Sequence, residues 1–173
     1  EPYRRQRQMC IRDRFPLLKK YHMKATIFVV SSYVGTKGYL SEGQLKEMVG
    51  SGLVSIQSHT AHHVDLSNED KSHMDQEFRE SCAALAKITG KNVTTISYPG
   101  GYFNDKVLNE VQRYFTYAYA IDTNEYSKDN HYEISRGGVY RNTTLESFSM
   151  ALRTYSQRRL IREMFKLKHK IFG

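Results

Sequence analysis

Only two cysteines, Cys10 and Cys82, occur in the 173 residues. They are too few for a disulfide framework, and they leave the redox compartment open. No apolar run approaches the length that spans a bilayer. The N-terminus has no apolar core of a secretory signal, although an incomplete N-terminus would have lost one. Internal repeats and low-complexity segments are absent. The middle of the chain also lacks net charge. Residues 15–156 hold fifteen basic and fifteen acidic side chains, so the +8 of the whole chain belongs to its ends. Residues 1–14 carry five arginines against Glu1 and Asp13, a net of +3, and residues 157–173 carry a net of +5. A nucleic-acid-binding body displays its charge on the folded surface. No nucleic-acid partner is therefore expected.

What is present is one domain's worth of alternating elements. Residues 1–14 show neither helical nor strand periodicity and are expected to be a non-native or disordered leader. Phe15 to Tyr21 is a short amphipathic helix, with Pro16 tolerated in its first turn. Ala25 to Val30 is an apolar, β-rich run, which predicts a strand covered on both faces. Ser41 and Gln44 form a capping-box pattern for a helix that buries Leu45 and Met48 and ends at Gly50-Ser51-Gly52. A second strand spans Leu53 to Gln57. Ser67 to Asp70 caps a helix running to Ile88, with Phe78, Cys82, Leu85 and Ile88 at helical spacing. Val93 to Ser97 is a third strand. Asn104-Asp105 caps a helix with Val107, Leu108 and Val111, and Tyr117 to Ile121 is a fourth strand. Further on, a short strand near Glu133–Val139 precedes a helix opened by Thr144. Strand, loop and helix in repetition predict an α/β fold with a parallel sheet or barrel. The basic tail from 157 to 173, with Leu160, Ile161, Met164, Phe165 and Leu167, reads as an amphipathic C-terminal helix. It is expected to cover the fold rather than to bind a membrane.

Three of the seven histidines fall within five positions, in Ser58-His59-Thr60-Ala61-His62-His63. This cluster follows the second strand, and ligands in α/β folds gather at strand carboxyl ends. His59 and His63 lie four residues apart, close enough to share one ion, and neutral imidazole suits zinc. A hydrolytic site also needs a third protein ligand, so a carboxylate is expected beside them. A polar surface loop with incidental histidines is the competing reading. His62 is a rival ligand but is better placed to support His63 than to replace it.

Several segments in order resemble the polysaccharide deacetylase family, the NodB-homology or carbohydrate esterase 4 group. His59-Thr60-x-x-His63 matches the family's H-[ST]-x-x-H motif, with Val64 where proline is usual. Tyr98-Pro99-Gly100-Gly101 is similar to its R-x-P-x-G loop, with Ser97 where many members have arginine. Phe15 to Val29 is very like the family's first helix and second strand. The resemblance spans about residues 15–150, and 15–156 is taken as the domain. It implies a distorted (β/α) barrel, one divalent metal ion (commonly zinc), and removal of N-acetyl groups from amino-sugar polysaccharides such as peptidoglycan, poly-N-acetylglucosamine or chitin-like chains. It further implies work at the cell envelope or outside the cell.

Carried over by match, His59 and His63 are metal ligands and the Gly100 N–H is an oxyanion donor. Tyr98, Pro99 and Tyr102 line the sugar groove, with Tyr102 equally readable as a rim-packing residue. The family's T-F-D-D strand supplies the base and the third ligand. It would lie about ten residues before Phe15, where Tyr3-Arg4-Arg5 stands. Asp13, the only aspartate upstream of Phe15, sits in the wrong context. The chain as written is therefore expected to be truncated or chimeric, to lack its first strand, and to be inactive; a non-catalytic glycan-binding descendant is the alternative. The family's late Leu-x-His motif is not evident at His131, which reads as a surface residue. Asp122 is open between a supporting carboxylate and a loop cap. Arg136 reads as a structural ion-pairing residue.

Overall fold

The computed structural model describes residues 14–121, 131–136, 138–139 and 142–149. Residues 1–13, the candidate Asp122 and the tail 157–173 lie outside the described residues. The chain divides into two compact units, Glu1–Arg136 and Gly137–Gly173. In the second, residues 145–149 are helical, and the Thr144 hydroxyl caps them by accepting from the Ser147 N–H at 3.1 Å.

The first unit is a parallel sheet with helices between its strands. Its elements are α1 (Phe15–Tyr21), β1 (Ala25–Val29), α2 (Glu42–Gly50), β2 (Val54–Ser58), α3 (Lys71–Thr89), β3 (Thr95–Ser97), α4 (Asp105–Val111), β4 (Tyr117–Ile121) and β5 (Ile134–Arg136). All four strand pairs are parallel, and spatial order follows chain order from β1 to β5. Right-handed crossovers in such an order place every helix on the same face of the sheet. That is the arrangement from which a (β/α) barrel is built.

The strand faces divide by chemistry. Ile56, Ile96, Ala118 and Ala120 are buried, and with Val54 they lie on the helix-covered side together with Leu45, Met48, Phe78, Leu85 and Val107. Burying each large side chain contributes roughly 1.5–3 kcal/mol. The other face carries Phe28, Gln57, Ser97, Tyr119 and Arg136. Phe28 on β1 and Tyr119 on β4 have ring centroids 5.5 Å apart, and the Arg136 guanidinium lies 5.6 Å from the Phe28 ring. In a flat sheet three strand spacings would separate β1 from β4 by roughly 14 Å. The sheet is therefore strongly curled, with this second face inside the curve.

The capping box at Ser41 and Gln44 forms as the sequence predicts. The α3 helix is capped by Asp70, whose carboxylate accepts from the His73 N–H at 2.8 Å, and it ends at Gly90 in the left-handed region (φ 66°). One expectation needs correction. The β1 strand is only half-buried, with Thr26 exposed, because among the described residues it pairs with β2 alone. The buried stripe of α3 includes the expected Phe78 and Leu85 and extends to Met74, Glu77 and Ser81, while Cys82 and Ile88 pack, partly buried, at its margin. Burial pushes the Cys82 thiol up to about 11, so it behaves as a packed, unreactive group.

The ladder between β2 and β3 is short, with only Ser58 and Ile96 in register. Gln57 extends it with its side chain, whose carbonyl oxygen accepts from the N–H groups of Thr94 (3.0 Å) and Thr95 (2.9 Å). This buried amide ties the carboxyl end of β2 to the start of the three-residue β3.

Candidate active site at the carboxyl edge of the sheet

The His59–His63 loop leaves the end of β2 between α3 and the segment following β1. The His59 N–H donates to the Val29 carbonyl at 3.0 Å, carrying the β1–β2 ladder one residue into the loop. The His59 Nδ1 lies 2.6 Å from the Ser97 carbonyl oxygen at the end of β3. A carbonyl can only accept, so Nδ1 carries a proton, and in the neutral ring Nε2 is the lone-pair nitrogen. That is the tautomer a metal-ligating histidine needs.

The rings of His59 and His63 are 4.9 Å apart and nearly perpendicular, at 80°. Two imidazoles on one tetrahedral ion, with metal–nitrogen distances of roughly 2.0–2.1 Å, put their centroids about 5 Å apart. The pair fits as two ligands of one ion. Among the described residues, no group of three or more His, Cys, Asp or Glu side chains is placed to hold a metal. Among the described residues the donor set is thus the two imidazoles.

Thr60 (φ 66°) and His63 (φ 63°) both adopt the left-handed region. For residues with a Cβ this costs about 1–2 kcal/mol each. The loop offsets the cost with polar contacts. The Thr60 N–H donates to the Ser58 hydroxyl at 3.1 Å, and the His63 N–H donates to the Thr60 hydroxyl at 2.9 Å. The Ala61 carbonyl accepts from the Ser32 hydroxyl at 2.6 Å and from the Ser32 N–H at 3.1 Å. The N–H groups of Ala61 and His62 both donate to Glu77 Oε2, each at 2.9 Å. The His62 ring turns away from the pair, with Nδ1 2.7 Å from Glu77 Oε1.

Glu77 is the residue that sequence reasoning missed. It is 1% exposed and sits on α3. A signal was there to see: Met74, Glu77, Phe78 and Ser81 share one helical face, so a carboxylate interrupts an apolar stripe. Buried carboxylates in such positions have dedicated donors.

The second loop follows β3. Gly100 (φ 64°) and Gly101 (φ 81°) are both left-handed. The turn's hydrogen bonds come from the Gly101 N–H to the Tyr98 carbonyl (3.1 Å) and from the Tyr102 N–H to the Pro99 carbonyl (3.3 Å), leaving the Gly100 N–H outside them. A Cβ at Gly101 would lie 2.8 Å from the Ile121 Cβ and 2.9 Å from the Ile121 backbone nitrogen. This glycine is required by close approach to β4.

The expected groove role of Tyr98 and Pro99 is corrected by their burial. Tyr98 is 0% exposed, stacks on Phe103 with centroids 5.3 Å apart, and donates its hydroxyl to the Tyr132 carbonyl at 2.8 Å. Pro99 is also buried. Both hold the turn from beneath. Tyr102 is 62% exposed, and its ring stands against the α-carbon of Gly100. Ser97 is fully buried, and its hydroxyl has no hydrogen-bond partner among the described residues. His131 sits at the opposite edge of the sheet, where its carbonyl accepts from the Ala118 N–H at 2.8 Å and its ring packs 5.1 Å from Tyr117.

Two loops at the carboxyl ends of adjacent parallel strands, one with paired imidazoles and one with a left-handed glycine turn, stand where α/β folds place their ligand sites. The polysaccharide deacetylase family model matches residues 9–119, and the chain belongs to that family. The match begins inside the stretch expected to be a leader. A Bacillus subtilis protein named for the same family is 38% identical, over 58% of this chain and 36% of its own length. The poly-β-1,6-N-acetyl-D-glucosamine N-deacetylase of Staphylococcus epidermidis is 32% identical, over 57% of this chain and 39% of its own length. The crystal structure of a Bacillus cereus polysaccharide deacetylase superposes with a TM-score of 0.73 at 33% identity, covering 79% of this chain and 45% of the other. The chain thus spans less than half the length of each of these relatives. Among the described residues no helix is long and apolar enough to cross a membrane.

Proposed function

We propose that this sheet edge is the histidine half of a metal-dependent site for removing N-acetyl groups from an amino-sugar polysaccharide. The observation that carries the reading is the convergence of His59 and His63, with the His59 proton fixed on Nδ1 by the Ser97 carbonyl. In this reading His59 and His63 hold one divalent ion, zinc being the first candidate. Such an ion supplies Lewis acidity toward an acetyl carbonyl and toward water when bound. The Ser97 carbonyl keeps the His59 ring oriented. The Gly100 N–H, outside the turn's own hydrogen bonds, is the donor for developing oxyanion charge. The exposed Tyr102 ring offers an apolar face to a sugar ring.

The polymer is of the N-acetylglucosamine class, by similarity to the Staphylococcus epidermidis relative. The cell envelope or the extracellular space is the proposed place of action. A general base and a third ligand are still needed. The second reading, carried by the absence of an adjacent acidic pair upstream of Phe15 in the sequence, is a glycan-binding protein that does not turn its ligand over.

Zinc content and acetate release from an N-acetylglucosamine oligomer are to be measured for this chain and for one with the family's Asp-Asp strand appended. Little release from the first and recovery in the second is expected. Full activity in the present chain would refute the account of the missing carboxylate. Absence of zinc in the appended chain would refute the histidine assignment. Oligomer binding without release in both would establish the second reading.

A further inference from the structure

We propose that Glu77 is the positioning residue of the histidine loop, and that its carboxylate sets the backbone turn that brings His59 and His63 together. The inference rests on the reading of those histidines as a ligand pair. Glu77 lies in the second turn of a nineteen-residue helix, the longest among the described residues. Its side chain is 1% exposed. A carboxylate so placed must find donors or lose several kcal/mol of solvation. Among the described residues its hydrogen-bond donors are in the loop: the N–H groups of Ala61 and His62 on Oε2 and the His62 ring on Oε1.

Two successive N–H groups on one oxygen fix the peptide planes between the two left-handed residues, Thr60 and His63. These planes determine the direction in which His63 leaves the turn relative to His59. Ser81, one helical turn beyond Glu77, reinforces the same docking through a 2.9 Å contact between its hydroxyl and that of Ser58. His73 stands at the outer side of Glu77, with Nε2 3.9 Å from Oε1, a distance too long for a hydrogen bond. The His62 side chain is 53% exposed, so solvent screens its contact; the backbone contacts are the central ones, and the His62 ring is secondary.

The experiment uses the full chain and three variants, Glu77→Ala, Glu77→Gln and His62→Ala, with two readouts. The first needs no metal: amide hydrogen exchange of Ala61 and His62 against Ile56 and Ile96 in the sheet. The second is Zn2+ affinity, with Co2+ absorption as the spectroscopic signature of imidazole ligation. Glu77→Ala is expected to speed exchange at Ala61 and His62 at least tenfold while the sheet amides keep their protection. It is also expected to weaken Zn2+ binding about 10–100-fold, as loss of supporting partners does. Glu77→Gln keeps the volume and one carbonyl oxygen and is expected to fall between. His62→Ala keeps both backbone contacts and is expected to stay within about threefold of the parent, well under the change in Glu77→Ala.

Unchanged exchange at Ala61 and His62 in both folded Glu77 variants would overturn the proposal. So would His62→Ala matching the loss seen in Glu77→Ala. If Glu77→Ala does not fold, Glu77→Gln decides by the same two measures. Failure of the parent chain to bind Zn2+, with the exchange result as expected, would overturn the metal reading while leaving Glu77 as the residue that sets the loop.

Discussion

The histidine loop and the glycine turn emerge from neighbouring strands at the same edge, yet they are held by different physics. In the loop, two residues with side chains sit in the left-handed region, and polar contacts from Ser58, Thr60, Ser32 and Glu77 keep them there. In the turn, the left-handed residues are Gly100 and Gly101, for which that conformation costs little. What the turn requires is shape: Tyr98 packed beneath it and Ile121 pressed against Gly101. A strained segment held by hydrogen bonds fails by losing a partner. An unstrained segment held by contact fails by gaining an atom.

The largest effect expected from this contrast is on the glycine side. Gly101→Ala adds a Cβ against the Ile121 backbone, which cannot give way as a flexible side chain can, and it forces a non-glycine residue to φ 81°. A loss of about 3 kcal/mol is expected from the sum of strain and overpacking, read from the urea midpoint. A change under about 0.5 kcal/mol would mean that the turn is not held by shape.

The next effect is on the histidine side. Thr60→Val keeps shape but removes the hydroxyl that accepts from the His63 N–H inside a fully buried position. A cost of about 1–2 kcal/mol is expected, since a donor is left without its acceptor. The comparison fails if Thr60→Val is neutral.

The smallest effect concerns pH at the rim of the loop. The hydrogen bond from the His73 ring to Glu69, the largest influence, raises the His73 pKa above its ordinary 6.5. A pKa raised in the folded state contributes stability that is fully present below the unfolded pKa and is lost as pH rises through the folded pKa. Stability should therefore decline slightly from about pH 6.5 upward. Glu69→Gln should flatten that slope without altering exchange at Ala61. His73 is 44% exposed, so the effect is small. An unchanged slope in Glu69→Gln would assign the decline to another group.

Much of the fold was legible in the sequence because it depends on local patterns. The helix from Phe15 to Tyr21, the capping box at Ser41 and the strand from Tyr117 to Ile121 follow from periodicity and cap chemistry. The misjudged parts were those in which burial depends on distant neighbours. Ala25 to Val29 looks like a central strand by composition, but among the described residues it pairs with β2 alone and is half-covered. Tyr98 and Pro99 sit in a loop motif and look like groove residues. The stack on Phe103 and the hydroxyl's bond to Tyr132 pull Tyr98 under the turn instead, and neither contact can be inferred from spacing.

For the site itself, spacing was enough to single out His59 and His63 as candidates, because two imidazoles four residues apart after a strand is a local pattern. Glycine permits either sign of φ, so the left-handed turn at Gly100 and Gly101 was visible only in the structure. Only the tertiary structure decided which histidine nitrogen carries a proton, because that depends on a carbonyl thirty-eight residues away, at Ser97. It alone showed Glu77 as the residue to which the loop is anchored. A buried carboxylate's role is defined by the donors that surround it, and those donors, sixteen and fifteen residues away, are brought to it only by folding.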